Sequence, residues 1–354
     1  MAVFVAFIFY STYKQKHKKV VHADLTASLA QAEQASQIWN QQSLKSLGQD
    51  TFQNYQKDWS AYNLASMQAY MSPEYYAKNV LLIMALQELR RKNTTVIKSF
   101  SDIFVADFSE DQKTCRIGMT VSVQDQLIDT HEERTLFELP LTVTEYYRFT
   151  HDGSRWIFTG IDQSTAEPST QVAQLQQFAS ENGYFYSLDW GWLLIPSKGQ
   201  LFSQAKFGKS DINNHLIGQH NDMLVQLYTY NPHPNIAESY LVAQVALPKS
   251  YGDIVVRRKN SWVRPSVKGL TEVTLEWPQF HEKYEVYASD LERVTSFELL
   301  HPAFMEKLEA LPIEINIEVV DNTVYLYNKS QVRDETAYPI ILGVLQEAFK
   351  QMRL

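Results

Sequence analysis

From Leu141 to Gln163 apolar and aromatic positions alternate with polar ones through Leu141, Val143, Tyr147 and Phe149, interrupted only by Glu145. His151-Asp152-Gly153-Ser154 supplies turn chemistry, and Arg155 to Gln163 returns. Period-two alternation about a short Gly-containing connection predicts an antiparallel hairpin. Upstream the period lengthens to that of a helix. Asp24 to Leu47 places Leu25, Leu29, Ala32, Trp39 and Leu47 near one face, with Asp24 or Thr26 as cap and Gly48 as a stop. Thr51 to Tyr70 predicts a second helix with an aromatic stripe of Phe52, Tyr55, Trp59, Tyr62 and Tyr70. Ser72-Pro73-Glu74 opens a third: Ser caps, Pro suits the first turn and Glu complements the dipole. It runs through Tyr76, Val80, Ile83 and Met84, with Arg90, Arg91 and Lys92 at its end and Asn93 in the left-handed terminating position. Strands are expected over Thr95 to Phe108, Arg116 to Gln124 and Glu132 to Pro140, leading into the hairpin.

After the polar stretch Ser164 to Ser169, Thr170 to Asn182 predicts a packed connector helix. Beyond it Trp190 to Ile195, Leu224 to Tyr230, Tyr240 to Leu247, Ile254 to Arg257, Val273 to Glu276 and Val286 to Ala288 have strand character. Leu291 to Leu300 and a segment from Pro302 read as helical, Ile313 to Tyr327 as a hairpin turning at Asp321-Asn322, and Tyr338 to Met352 as a closing amphipathic helix. The expected class is α+β: N-terminal helices packed in a curved antiparallel sheet, cone-like, then a second α+β domain rich in antiparallel strands. The expected division is 1–23, 24–163, 164–183 for the connector and 184–354.

Charge narrows the function classes. A net charge of −8 argues against general nucleic-acid binding, which needs cations to neutralise phosphates. With Cys115 as the one cysteine, a disulfide framework and a multi-cysteine zinc site are excluded. The first residues differ from the rest. Ala2 to Tyr10 is continuously apolar and is followed by Lys14, Lys16, His17, Lys18 and Lys19. Nine helical residues reach only ~14 Å against a hydrocarbon core of ~30 Å. That order is wrong for a secretory signal and fits the cytoplasmic end of a membrane helix. Half of a transmembrane helix is therefore the expectation for 1–23; an interfacial anchor or a buried terminal strand is the alternative. The protein is expected at the cell membrane, single-pass or anchored, with cytoplasmic C-terminal domains.

Two stretches resemble known families. Tyr55-Gln56-Lys57-Asp58-Trp59, Met71-Ser72-Pro73-Glu74-Tyr75, Glu145-Tyr146-Tyr147-Arg148-Phe149, Trp156 and Ile161-Asp162-Gln163 resemble the TIM-44-like domain over roughly 24–163. This chain carries Tyr147 where that family commonly has Trp. The resemblance implies a nuclear-transport-factor-two-like cone with an apolar interior that binds small molecules, lipids or partner segments, and it carries over no catalytic residue. Phe207 to His215, Trp277-Pro278-Gln279-Phe280, Tyr284 to Asp290 and Leu300 to Leu308 resemble a bacterial domain family of unknown function, with His301 where that family commonly has Thr.

The pocket candidates are Trp59, Tyr62, Glu145, Tyr147, Phe149, Trp156 and Phe158. Large aromatic residues usually fill a closed core, and that alternative stands beside the pocket. Glu145 is either a pocket acid or a hydrogen-bonded carboxylate fixing the sheet. Ser203 to Ser210 falls one glycine short of a phosphate-binding loop and lacks a following helix. His215, His220, Asp211 and Asp222 have ligand chemistry but not helical ligand spacing. No cofactor or metal is expected, and no motif specifies an oligomeric state. The expected function is a membrane-tethered, non-enzymatic binding or scaffold protein whose cone docks a partner protein or a lipid. The alternative is an enzyme or small-ligand binder with Glu145 as acid or base.

Overall fold

A computed structural model describes residues 25–203, 205–207, 209–232, 239–259, 267, 269–275, 277–289, 301–330 and 337–352. The apolar run at 2–10, the Asp24 cap and the helix expected at 291–300 lie outside the described residues. The fold is α+β, and the chain divides into two compact units, 1–167 and 168–354.

In the first unit a helix at 25–35 (α1) and a short 3₁₀ turn at Gln37–Trp39 lead into α2, Gln41–Ala61. The break falls at Ser36–Asn40, not at Gly48. Asn40 accepts from the Ser43 amide at 2.8 Å and caps α2. Gly48 stays inside the helix because α2 lies against the sheet there. A Cβ on Gly48 would come within 2.6 Å of the Ile117 side chain. Ordinarily Gly to Ala gains about 1 kcal/mol in a helix interior. Here Ile117 is fully buried and stiff at its branched carbon, so it cannot yield cheaply. The expected result for Gly48→Ala is a net loss of about 1–2 kcal/mol of first-unit stability in urea denaturation; a gain would show that the contact relaxes freely.

The expected second helix also divides. Tyr62 ends α2 in the left-handed region (φ 54°), and Asn63 caps α3, Leu64–Tyr70. Ser72 caps α4, Pro73–Glu88, as its Ser-Pro-Glu start predicts. The left-handed residue after α4 is Arg90 (φ 54°), not Asn93. Asn93 is instead a buried residue of β1, Arg91–Ser109.

β2 (Thr114–Asp129), β3 (Arg134–His151) and β4 (Trp156–Asp162) complete a four-stranded antiparallel sheet in the order β1-β2-β3-β4. The predicted hairpin is β3 and β4. Register breaks at Ile97–Ser99, Phe100–Asp102 and Val105–Asp107 in β1, and at Thr159 in β4 opposite Arg148–Phe149, bend and twist the sheet. Pro140 is tolerated within β3 because β4 pairs only from Tyr146 onward, which leaves Pro140 with one strand neighbour. One face of β3 presents Glu145, Tyr147 and Phe149 opposite Met119, Ile117 and Cys115 of β2, and α2 packs on it through Phe52, stacked 5.6 Å from Tyr147.

The second unit begins with α5, Thr170–Glu181, whose Leu175 and Ala179 join that unit's core. Its nine-stranded sheet has the order β10-β11-β9-β12-β13-β8-β7-β6-β5. These strands are β5 Phe185–Gly191, β6 Asp211–His220, β7 Met223–Asn231, β8 Ser239–Ala246, β9 Ile254–Arg258, β10 Thr271–Glu272, β11 Tyr284–Ala288, β12 Asn316–Val320 and β13 Thr323–Ser330. The expected strand at 190–195 is instead the end of β5 and a turn, because Gly191 reverses the chain with φ 48°. Between strands lie α6, Pro278–Lys283, and α7, Pro302–Ala310; α8, Ala337–Met352, closes the unit. Phe304, Met305, Ile341, Leu342 and Leu345 cover one sheet face.

Candidate functional site

Phe158 is the hub of the first unit's interior. It is 1% exposed. Its ring lies 4.9 Å from Tyr147, 5.1 Å from Tyr75, 5.6 Å from Phe149 and 5.8 Å from Tyr55. Its carbonyl accepts the Ser72 amide at 2.9 Å, which docks the start of α4 on β4. The residues that collect here come from α2, α4, β3 and β4, far apart in the chain.

Polar groups thread through this cluster. The Tyr55 hydroxyl donates to Asn79 Oδ1 at 3.1 Å, and Asn79 Nδ2 donates to the Tyr75 carbonyl at 2.7 Å. Trp59 Nε1 donates to Asn93 Oδ1 at 3.1 Å, and Asn93 Nδ2 to Asp125 Oδ1 at 2.8 Å. Burial raises the Asp125 carboxyl above its usual range, against the pull of its Asn93 and Thr95 hydrogen bonds.

Glu145 sits on β3 two residues before Tyr147, on the same face. As a residue it is half-buried, yet its Oε2 and the Tyr147 hydroxyl are sealed from solvent and make no hydrogen bond of normal geometry, although Gln163 and Tyr147 lie near the Glu145 carboxyl and Gln56 near the Tyr147 hydroxyl. Burial pushes the Glu145 carboxyl up to about 7, with the Asp125 charge adding and Gln163 and Tyr147 offsetting in part. The phenols of Tyr55, Tyr75 and Tyr147 are also raised by burial and stay protonated at neutral pH. A carboxyl that titrates near 7 beside neutral hydroxyls can accept or donate a proton or hydrogen bond.

Of the sequence candidates, Tyr147, Phe149 and Phe158 meet in one cluster, with Glu145 beside Tyr147. Trp59 borders it through Tyr55, 6.0 Å away. Tyr62 caps α2 and donates its hydroxyl to the Arg91 carbonyl. Trp156 packs with Trp39 at 5.4 Å and His151 at 5.1 Å, at the far end of the same hairpin. Tyr55, Tyr75, Asn79, Asn93 and Asp125 were not among the candidates. Asn79 carries the signal that identifies such a residue: a polar side chain immediately before the apolar run Val80 to Met84.

Among the described residues no group of three or more His, Cys, Asp and Glu could hold a metal ion. His215 is buried against Gln226 at 3.0 Å, and His220 stacks on Phe349. Burial raises the Cys115 thiol, which makes it a poor nucleophile. No described helix is long and apolar enough to cross a membrane.

Residues 238–332 match a family described as protein of unknown function (DUF3137). That match lies within the region whose sequence resembles a domain of unknown function. No curated protein matches the chain in sequence. Among solved structures, the mycobacterial trehalose monomycolate transport factor A, TtfA, is similar over 52% of this chain and 96% of its own, at 14% identity and a TM-score of 0.40. The intermembrane space region of the chloroplast protein ARC6 is similar over 33% of this chain and 94% of its own, at 14% identity and a TM-score of 0.28. Likenesses at these scores carry no argument about function.

Proposed function

We propose that the first unit is a TIM-44-like domain, and that the protein is a membrane-tethered binding or scaffold protein whose first unit docks a partner protein or a lipid. The observation that carries this reading is convergence. Tyr55 from the first resembling run, Tyr75 from the second, Tyr147 and Phe149 from the third all pack around Phe158. The rings pack against one another, so the interior around Phe158 is filled, which favours a structural and docking role over a reaction chamber there. The apolar run at 2–10 with its basic flank supports the tether.

One observation favours the second reading, an acid or base at Glu145: its sealed oxygen makes no hydrogen bond of normal geometry and its carboxyl titrates near 7. Sedimentation and flotation of the full chain test the first reading. The expected result is recovery with membranes, lost when residues 1–23 are removed. Recovery of the full chain alone in the soluble fraction would remove the tether and, with it, the docking role.

A further inference from the structure

The second face of the four-stranded sheet sets two arginines side by side. Arg116 of β2 and Arg148 of β3 are partners in register. They alternate with Cys115, Ile117, Tyr147 and Phe149, so they lie on the face opposite the buried one. Like charges directly opposite one another across an antiparallel pair are destabilising. Two carboxylates offset the repulsion. Asp107 Oδ2 accepts from Arg116 Nε at 2.5 Å. Asp162 Oδ2 lies 3.2 Å from Arg148 Nε and 3.9 Å from Arg116 Nη1.

The close contacts fall on the Nε side of each guanidinium. A carboxylate that engages Nε leaves donors at the Nη end of the planar fork. Arg148 is set further by the backbone at Gly160, its register partner on β4: a Cβ there would lie 2.9 Å from Arg148 Cζ. The Arg148 side chain is 49% exposed and that of Arg116 28%, so both reach solvent. Lys78 of α4 is the third cation. Burial, and then the Arg148 charge, lower its ammonium to about 8; Asp162 and Glu74, one helical turn earlier, pull the other way. Exposed ion pairs contribute little to stability. As a fastener for strands this cluster is therefore weak, whereas it orients two donor forks beside a third positive charge.

We propose that Arg116 and Arg148, with Lys78 beside them, form a binding site for a phosphate monoester. The dianion suits the site in three respects. Its tetrahedral oxygens offer a separate edge to each fork, where a carboxylate offers one edge and matches one fork. Its charge relieves the repulsion between the cross-strand arginines. Asp107 and Asp162 stay at the Nε positions and hold the forks in place while the ligand binds. The same two carboxylates repel the dianion, which keeps the affinity moderate. The site shares no residue with the Phe158 cluster or Glu145, so it stands or falls apart from the docking and acid-base readings.

Titration of the full chain with phenyl phosphate, followed by the side-chain NMR signals of Arg116 and Arg148, tests this. The expected result is a saturable shift of both signals with a Kd of about 1 mM or below. The Lys78 ammonium is expected to titrate at higher pH in the complex, because the dianion favours its charged form. Arg148→Gln is expected to weaken binding about tenfold or more. Arg148→Lys is expected to fall well short of the unmodified chain, since it keeps the charge and lacks the fork. Unchanged exchange of β3 amides in both variants shows that the sheet is intact, and the titration of the unmodified chain depends on neither. Vesicles then identify the source of the phosphate. Displacement of phenyl phosphate by phosphatidylcholine vesicles containing phosphatidic acid, and not by phosphatidylcholine alone, marks a lipid headgroup; no displacement by either marks a soluble monoester. The absence of a saturable shift at Arg116 and Arg148 overturns the proposal. So does equal affinity for benzoate, or equal affinity in Arg148→Lys, either of which reduces the cluster to a patch of charge.

Discussion

Phe158→Ala is expected to remove about 3–5 kcal/mol from the first unit, the range for truncating a fully buried aromatic residue. Its position argues for the upper half of that range. Phe158 touches rings from α2, α4 and the neighbouring strand β3, so the space it leaves is walled by Tyr55, Tyr75, Tyr147 and Phe149. Those rings are themselves held by neighbours. Tyr55 is tied to Asn79 by its hydroxyl, and Tyr147 is stacked on Phe52. They cannot all move inward to close the gap, so the cavity term persists. Hydrogen exchange of α2 and β3 amides in the full chain reads this directly, with an expected acceleration of about a hundredfold to a few thousandfold. Amides of β7 and β8 belong to the other compact unit and serve as the internal control. Phe158→Leu is expected to recover a large part of the loss by refilling the volume. A loss below about 1 kcal/mol for Phe158→Ala would mean that the ring is peripheral, and the convergence behind the docking proposal would lose its centre.

The hairpin was readable in the sequence because its signals agree: alternation in β3, turn residues at 152–154 and aromatic residues on one face. Ser72-Pro73-Glu74 marked α4 for the same reason, as three local preferences point one way. Helix boundaries failed where a tertiary contact outweighed a local preference. Gly48 has the chemistry of a stop, but a close approach to Ile117 needs a residue without a Cβ, and that need is invisible until β2 is in place. Tyr62 ends α2 in a left-handed conformation that few bulky residues adopt. Its hydroxyl bond to the Arg91 carbonyl is a contact across 29 positions. The candidate site was legible in part. Alternation placed Glu145, Tyr147 and Phe149 on one face, and the turn brought Phe158 opposite. Which helical residues meet them depends on the crossing of α2 and α4 over the sheet. That crossing brings in Tyr55, Tyr75 and Asn79, and it leaves Tyr62 and Trp156 elsewhere. In the second unit the strand at 190–195 was misplaced because a Trp- and Leu-rich run reads as strand whether it pairs or turns.

Glu145→Gln is expected to flatten the pH dependence of first-unit stability between pH 4.5 and 7. In the unfolded chain the carboxyl releases its proton around its ordinary value of 4.5; in the folded unit burial holds the proton until about 7. Across that window the unfolded state is the one that has lost the proton, so each rise in pH favours unfolding. The stabilising contribution is fully present below 4.5 and fully lost above 7. At about 1.4 kcal/mol per unit the total comes to about 3 kcal/mol, an upper figure because the residue is only half-buried. Glu88, Asp125 and Asp162 are also raised by burial and add slopes of the same sign. The difference between the unmodified protein and Glu145→Gln cancels them, apart from the coupling of Glu145 to Asp125, and leaves the Glu145 contribution. The variant is therefore expected to be the more stable form at pH 8 and to match the unmodified protein near pH 4. Urea denaturation of the full chain at half-unit intervals, read by exchange of β3 amides, measures both curves. Coincident slopes would place Glu145 in contact with water and end its candidacy as an acid or base. Separate slopes would make it a carboxyl positioned to exchange a proton with a bound group near neutral pH, and a ligand that donates a hydrogen bond to Oε2 would then shift its titration downward.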